Sequence, residues 1–343
     1  MLTGIRERWF GPEAARGPLT LVGMALAAYA LAIVVLVYAF DREPDQFDVQ
    51  AAARARVAAL KAGEPVRGSV TTSTLIEVVD RMLDKPGGYL SNDAFPPGVV
   101  MDDIPSWEYG VLVQARDLAI AMRNDFGRSQ TQSNEDPALV RADNELRISN
   151  DSWMFPAAES SYRHATRSLE DYLVRLGRTD ASETQFYTRA DNLRKYLEVV
   201  EKRLGDLSQR LSASVGQARV NTDLAGDVHA ERATSVPSVV IVKTPWLEID
   251  DVFYEARGSS WALLHMLRAL EIDFGPVLEK KNALVSLRQI IRELESTQDT
   301  VWSPMILNGE GFGFVANHSL VMASYISRAN AAVIDLRMLL ERG

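Results

Sequence analysis

Apolar positions along this chain follow more than one pattern. From Leu19 to Phe40 no residue is charged over about 22 positions. As a helix rising about 1.5 Å per residue, that run spans roughly 33 Å, enough for a bilayer core. Tyr38 and Phe40 would sit at one interface, with Trp9 and Phe10 near the other. Ala28-Tyr29-Ala30 has the form of a signal-peptidase site. The apolar run continues for ten residues beyond it, so an uncleaved anchor is expected.

Elsewhere the apolar residues recur at helical spacing. Phe186, Ala190, Leu193, Leu197, Val200, Leu204, Leu207 and Leu211 alternate steps of four and three, a heptad seam. Tyr162, Ala165, Leu169, Tyr172 and Leu176 precede it with a matching seam. The intervening GRTDAS is short, so an antiparallel hairpin over 162–215 is expected. Ser182 and Gln185 form a capping-box pair at the start of its second helix. In a parallel dimer Arg189 would confront Arg194, which favours packing within the chain.

Other helices are expected at 51–62, closed by Gly63, and from Thr74, where Thr74 and Glu77 have capping-box spacing. Another begins with Ser106 as N-cap and stops at Gly127. Residues 128–152 read as a polar loop. Beyond a polar break at 218–238, Val239–Val242 is the one β-like run, an extended connection or a partner of Val99–Val100. Residues 250–274 give one helix, or two broken at Gly258. Leu284, Leu287, Ile291 and Leu294 share a face. The last helix opens at Asn317 and carries Met322, Ile326, Ala329, Val333, Leu336 and Leu340. Trp107…Asp125-Phe126-Gly127 is faintly echoed by Trp261…Asp273-Phe274-Gly275, but the unequal separations do not establish a duplication.

The expected class is therefore mainly α: one N-terminal transmembrane helix, then an irregular soluble helical bundle with antiparallel hairpins. The divisions are a short segment (1–18), the anchor (19–40), an acidic juxtamembrane linker with a short helix (41–68), a helical region (69–217), a linker with a short extended piece (218–245) and a C-terminal helical region (246–343). Arg6, Arg8 and Arg16 before the anchor balance Arg42, Arg54 and Arg56 after it. The shortness of the N-terminal segment favours a cytoplasmic N-terminus and a periplasmic body at the bacterial inner membrane.

Composition then removes several chemistries. With no cysteine among 343 residues, disulfides and thiolate chemistry are excluded. A net charge of −9 argues against a nucleic-acid partner. The histidines His164, His229, His265 and His318 show no metal-helix spacing, so no metal and no cofactor is expected. The Asp-Phe-Gly triplets lack every other kinase motif. Gly309, Gly311 and Gly313 lack the strand and lysine of a phosphate loop.

One stretch concentrates the remaining candidates. Between residues 85 and 110 lie Asp93, Asp102, Asp103 and Glu108 among four prolines (Pro86, Pro96, Pro97 and Pro105) and several glycines. Carboxylates at suitable separation serve glycoside hydrolysis. The prolines and glycines instead favour a stiff corner, pinned on the bundle by Tyr89, Phe95 and Val99. His318 is the general acid/base candidate, because it opens a helix beside Asn317 and Ser319. Asp102, Asp103, Glu108 and His318 are thus the catalytic candidates, and Asp93, Asn308 and Asn317 the ligand- or partner-binding ones.

The segments GGYLSND, PPGVVMDDIPSWEYGVLVQARD, KTPWLEIDDVFYEARG and VWSPMILNGEGFGFVANHSLVMASYISRANAAVIDLR resemble an uncharacterised bacterial family of anchored inner-membrane proteins, the domain of unknown function 2333 family. The resemblance spans nearly the whole chain and implies the single-anchor layout, but no activity and no catalytic residue. Two functions are carried forward. One is an anchored scaffold or adaptor that contacts the bilayer through Leu19–Phe40 and binds another envelope protein. The other is a hydrolase of cell-wall or lipid-linked substrates, which requires the loop carboxylates and His318 to converge on one cleft.

Overall fold

The computed structural model describes residues 12–128, 134–178, 184–220, 239–303, 305–310 and 313–342, with side chains from Thr20 onward except at 218–220 and 239. Trp9, Phe10, Ser182, His229 and Gly311, named above, lie outside the described residues. The architecture is mainly α, as expected, with eleven α-helices among the described residues.

Helix α1 (Pro12–Phe40) carries the apolar run; Thr20–Phe40 is long and apolar enough to cross a membrane, and none of it is buried against the body. Helices α2 (Val49–Leu60) and α3 (Ser69–Asp84) follow. Next come α4 (Asp103–Ala121), extended by a π turn to Phe126, and α5 (Pro137–Leu146). Helices α6 (Ala158–Leu176) and α7 (Ala190–Ser212) lead to a two-stranded antiparallel ribbon, β1 (Gln217–Val220) with β2 (Val239–Val242). The chain closes with α8 (Ile249–Asp273), the short α9 (Gly275–Lys280), α10 (Leu284–Ser296) and α11 (His318–Glu341).

From α3 onward the long helices run up and down between two ends. At one end α4 and α8 begin together, with Ser106 donating to Asp251 (2.9 Å). Arg163 at the start of α6 pairs there with Asp84 at the end of α3 (2.6 Å), and Arg210 at the end of α7 with Glu255 (2.5 Å). At the other end Asp273 accepts from the Gly68 and Thr71 amides (2.9 and 2.7 Å), and the Tyr187 amide donates to the Phe126 carbonyl (2.7 Å). The Phe40 ring meets Gly87, where a Cβ would lie 2.7 Å from it. Helix α1 therefore arrives at the first end, the proximal end.

The innermost pair is α4 and α8, which run parallel. Gly110 and Gly258 let them touch backbone to backbone: a Cβ on Gly258 would lie 2.1 Å from the Trp107 carbonyl oxygen, and one on Gly110 2.1 Å from that of Glu255. Gly258 is thus a close-packing position inside one continuous helix rather than a break. Trp107 and Trp261 pack beside it, ring centroids 5.3 Å apart, both buried. The echo between the two segments brings Phe126 and Phe274 together at the far end of the same pair (5.2 Å).

Several expected boundaries move. The 162–215 hairpin is not formed: α6 packs along α5 and α3, and the α7 seam is buried along α11. Phe186 lies in an extended segment before α7, which begins at Ala190. The 128–152 loop contains α5, opened by Asp136 (accepting from the Ala138 amide, 2.8 Å) and Pro137, a start signal outweighed in the sequence by surrounding polarity. Thr74 and Ser106 are helix-interior; Gly68 and Asp102 are the N-caps. Lys61, not Gly63, takes the left-handed cap of α2. Val239–Val242 pairs with 217–220 and not with Val99–Val100, which lie in a short 3-10 turn. Asn317 caps α11 as expected, accepting from the Leu320 amide (2.8 Å).

Candidate functional site

Residues 41–48 read as an acidic linker, and the structure makes them a strap bound along α8. The Glu43 carboxylate accepts twice from Arg257 Nε (both 2.7 Å). Arg257 also donates to the carbonyls of Thr297 and Asp299 (3.1 and 2.8 Å), which follow the C-terminus of α10. Three segments therefore meet on one guanidinium. The Phe47 ring stacks on His265 (4.1 Å, 6° between planes), and the Phe47 amide donates to His265 Nε2 (3.0 Å). Nε2 accepts, so the ring proton sits on Nδ1, which donates to the Trp261 carbonyl (2.7 Å). Burial, with Arg268 and Arg81 nearby, lowers the His265 pKa to about 4 and keeps the ring neutral.

Between this strap, the start of α4 and the 298–303 segment lies an open cleft of about 780 Å³. Asp41, Glu43, Asp45, Asp103, Tyr254 and Arg257 line it. Asp103 is half-buried, and burial together with Asp102, Asp41, Asp250 and Asp251 pushes its pKa up to about 7. One of its oxygens has no hydrogen-bond partner. Among the described residues, no group of three or more His, Asp or Glu is arranged to hold a metal ion.

The sequence candidates scatter. Only Asp103 lines the cleft. Asp102 caps α4, accepting from the Asp103 amide (3.1 Å). Glu108 is fully buried and ion-paired with Lys85, itself fully buried, while it accepts from the Leu90 and Ser91 amides (2.9 and 2.8 Å). Lys85 also donates to the Gly88 carbonyl. Glu108 thus organises the 85–91 turn around a buried charge pair. Tyr89 pins that corner, donating to the Asn150 carbonyl (3.1 Å), but Phe95 and Val99 point outward.

His318 Nδ1 accepts from the Leu307 amide (3.1 Å), and burial lowers its pKa. It closes the base of the 307–317 loop and does not line the cleft. Asn317 donates to Asn308 Oδ1 and to the Gly309 carbonyl (2.9 and 2.8 Å), while Asn308 donates to the Ser214 carbonyl (2.9 Å). Both asparagines are committed to that clip. Asp93 packs against Gly98, where a Cβ would meet its carboxylate at 2.2 Å. Glu43, Arg257 and Tyr254 went unrecognised. The available signal was Arg257 itself, a lone cation ahead of the apolar stretch Trp261–Leu267.

A family model described as "uncharacterized protein conserved in bacteria" matches residues 13–343. The chain belongs to the DUF2333 family. The match takes in the apolar helix α1 from its second residue, the strap and the bundle, so apolar helix and body belong to one family unit. No curated protein and no solved structure matches it.

Proposed function

We propose that this DUF2333 protein is a single-pass inner-membrane adaptor, its N-terminus cytoplasmic and its body periplasmic. It presents an acidic cleft at headgroup level to a basic juxtamembrane segment of another envelope protein. The observation that carries the reading is the strap: Glu43 on Arg257 and Phe47 on His265 hold the cleft within a few residues of the end of the anchor at Phe40. With Arg257 paired to Glu43, Asp41 and Asp45 outnumber Arg42 in the lining, which leaves the cleft with a charge complementary to lysine and arginine. A photo-crosslinking residue at Thr300, on the cleft wall, is expected to capture one membrane protein in cells. Asp45→Lys is expected to abolish the adduct. Capture of nothing but lipid, or an adduct indifferent to Asp45→Lys, overturns the reading.

One observation favours a hydrolase. Asp103, with its pKa near 7, would hold a transferable proton in a cleft. In that case Asp103→Asn abolishes turnover of a cell-wall or lipid-linked substrate. Glu108, Asp102 and His318 are engaged elsewhere, which leaves Asp103 without the partners that reading expected.

A further inference from the structure

Four connections, in their described residues, emerge at the proximal end: 85–102, 147–157, 213–220 with 239–248, and 297–303 with 305–310 and 313–317. Each carries exposed aromatic side chains: Phe95 on the first, Trp153 and Phe155 on the second, Trp246 on the third, Trp302 and Phe314 on the fourth. Among the described residues beyond the anchor, these six are all the exposed tryptophans and phenylalanines. At the distal connections the corresponding rings are buried: Phe126, Phe186 and Phe274 pack on one another at 5.2–6.0 Å. Phe155, Trp302 and Phe314 are almost wholly exposed (92, 91 and 111%), so the fold itself gives them no cover.

We infer that this aromatic collar seats the body on the same bilayer that holds its anchor, so that the protein contacts lipid at five places and not one. This rests on the anchored reading above. Three features choose lipid as the occupant. The collar surrounds the end where α1 arrives, Phe40 against Gly87. The strap leaves no slack: Phe47, locked on His265, is seven residues from Phe40 and within about 25 Å of chain. The residue types suit that boundary: the amphipathic tryptophan ring settles at the headgroups, where it meets both water and acyl chain, and phenylalanine beside it supplies apolar area for the acyl layer. A body held this way cannot tumble about its tether, and its acidic cleft faces along the membrane surface.

The absence of cysteine allows a direct test on the full-length chain in phosphatidylcholine nanodiscs. Single cysteines at Phe155, Trp302, Phe314, Val285 and Val34 are spin-labelled, and collision with oxygen is compared with collision with a water-soluble nickel chelate. Val285, exposed at the distal end, reports water, and Val34 reports the anchor. The expected result is an oxygen-to-nickel ratio at 155, 302 and 314 several-fold above that at 285, approaching that at 34. Loop labels as water-exposed as 285, with 34 in lipid, overturn the collar and leave the anchor intact. If 34 is also in water, the anchored reading itself fails. Loop labels shielded from both reagents mean that protein, a second copy or a partner, covers the collar, which also overturns the proposal.

Discussion

The two ends of the bundle start from similar material and treat it in opposite ways. Both are made of helix connections studded with aromatic residues. At the distal end the connections fold inward, so Phe126, Phe186 and Phe274 form a closed cluster and Asp273 ties the start of α3 to the end of α8. At the proximal end the connections are pinned at their bases, by Glu108 on Leu90 and Ser91 and by Asn317 on Asn308, while their tips stay outside. Among the described residues, the distal phenylalanines are covered by the chain itself. The proximal end has rigid loop bases and uncovered tips, the arrangement of a surface that meets something else.

The contrast can be broken first where it costs most. Phe274→Ala removes a fully buried ring from the distal cluster and is expected to cost about 3–5 kcal/mol in denaturant unfolding. Glu108→Ala leaves Lys85 buried and unpaired, with an expected loss of similar size, about 3–5 kcal/mol. Replacing Lys85 and Glu108 together by methionine is expected to cost less than Glu108→Ala alone. If Glu108→Ala unfolds like the parent chain, the proximal corner is not held by that pair and the claim of rigid loop bases fails.

Acid acts on the strap. His265 is neutral in the fold, with its pKa depressed to about 4 from an ordinary 6.5. The unfolded chain therefore takes up the proton first. The contribution of His265 is complete above pH 6.5 and is lost as pH falls from there to 4, about 3 kcal/mol in all. Asp103 works the other way: its raised pKa stabilises the fold as pH falls from about 7 towards 3.8. The difference in pH slope between the parent chain and His265→Gln isolates the histidine. The protection factor of the Phe47 amide, taken relative to the intrinsic exchange rate at each pH, is expected to fall over the same window, and an unchanged protection factor would show that the strap does not depend on the neutral ring.

The smallest effect is the most telling for the comparison. Phe314→Ala, at a proximal tip, is expected to leave unfolding in detergent unchanged to within about 0.5 kcal/mol, because the ring touches almost nothing in the fold. A loss comparable to that of Phe274→Ala would mean that the tips are part of the core, and the contrast between the ends would vanish.

Helix faces were legible before the fold was known. The Leu193–Leu211 seam and the Met322–Leu340 stripe are where their spacing places them, because burying one face of a helix demands that spacing whatever the partner. Partner choice was not legible. The α7 seam is filled by α11 rather than by α6, and a heptad pattern does not encode which neighbour fills it. Asp103 reached the cleft as one of four carboxylate candidates, whereas Glu108 and His318 have chemistry that suits catalysis and contacts that commit them to structure.

The strap was illegible for a plain reason. Glu43 in an acidic, proline-containing segment looks solvated until Arg257, 214 positions away in sequence, is brought against it. The amino-acid order by itself determined an apolar helix of bilayer length and a mainly α body, since length and periodicity act locally. Only the tertiary structure decided that the segment after the apolar helix is strapped to the body, that α4 and α8 touch at Gly110 and Gly258, and that the exposed tryptophans and phenylalanines of the described body gather at one end. Those depend on contacts between distant segments, and no local pattern in the chain records them.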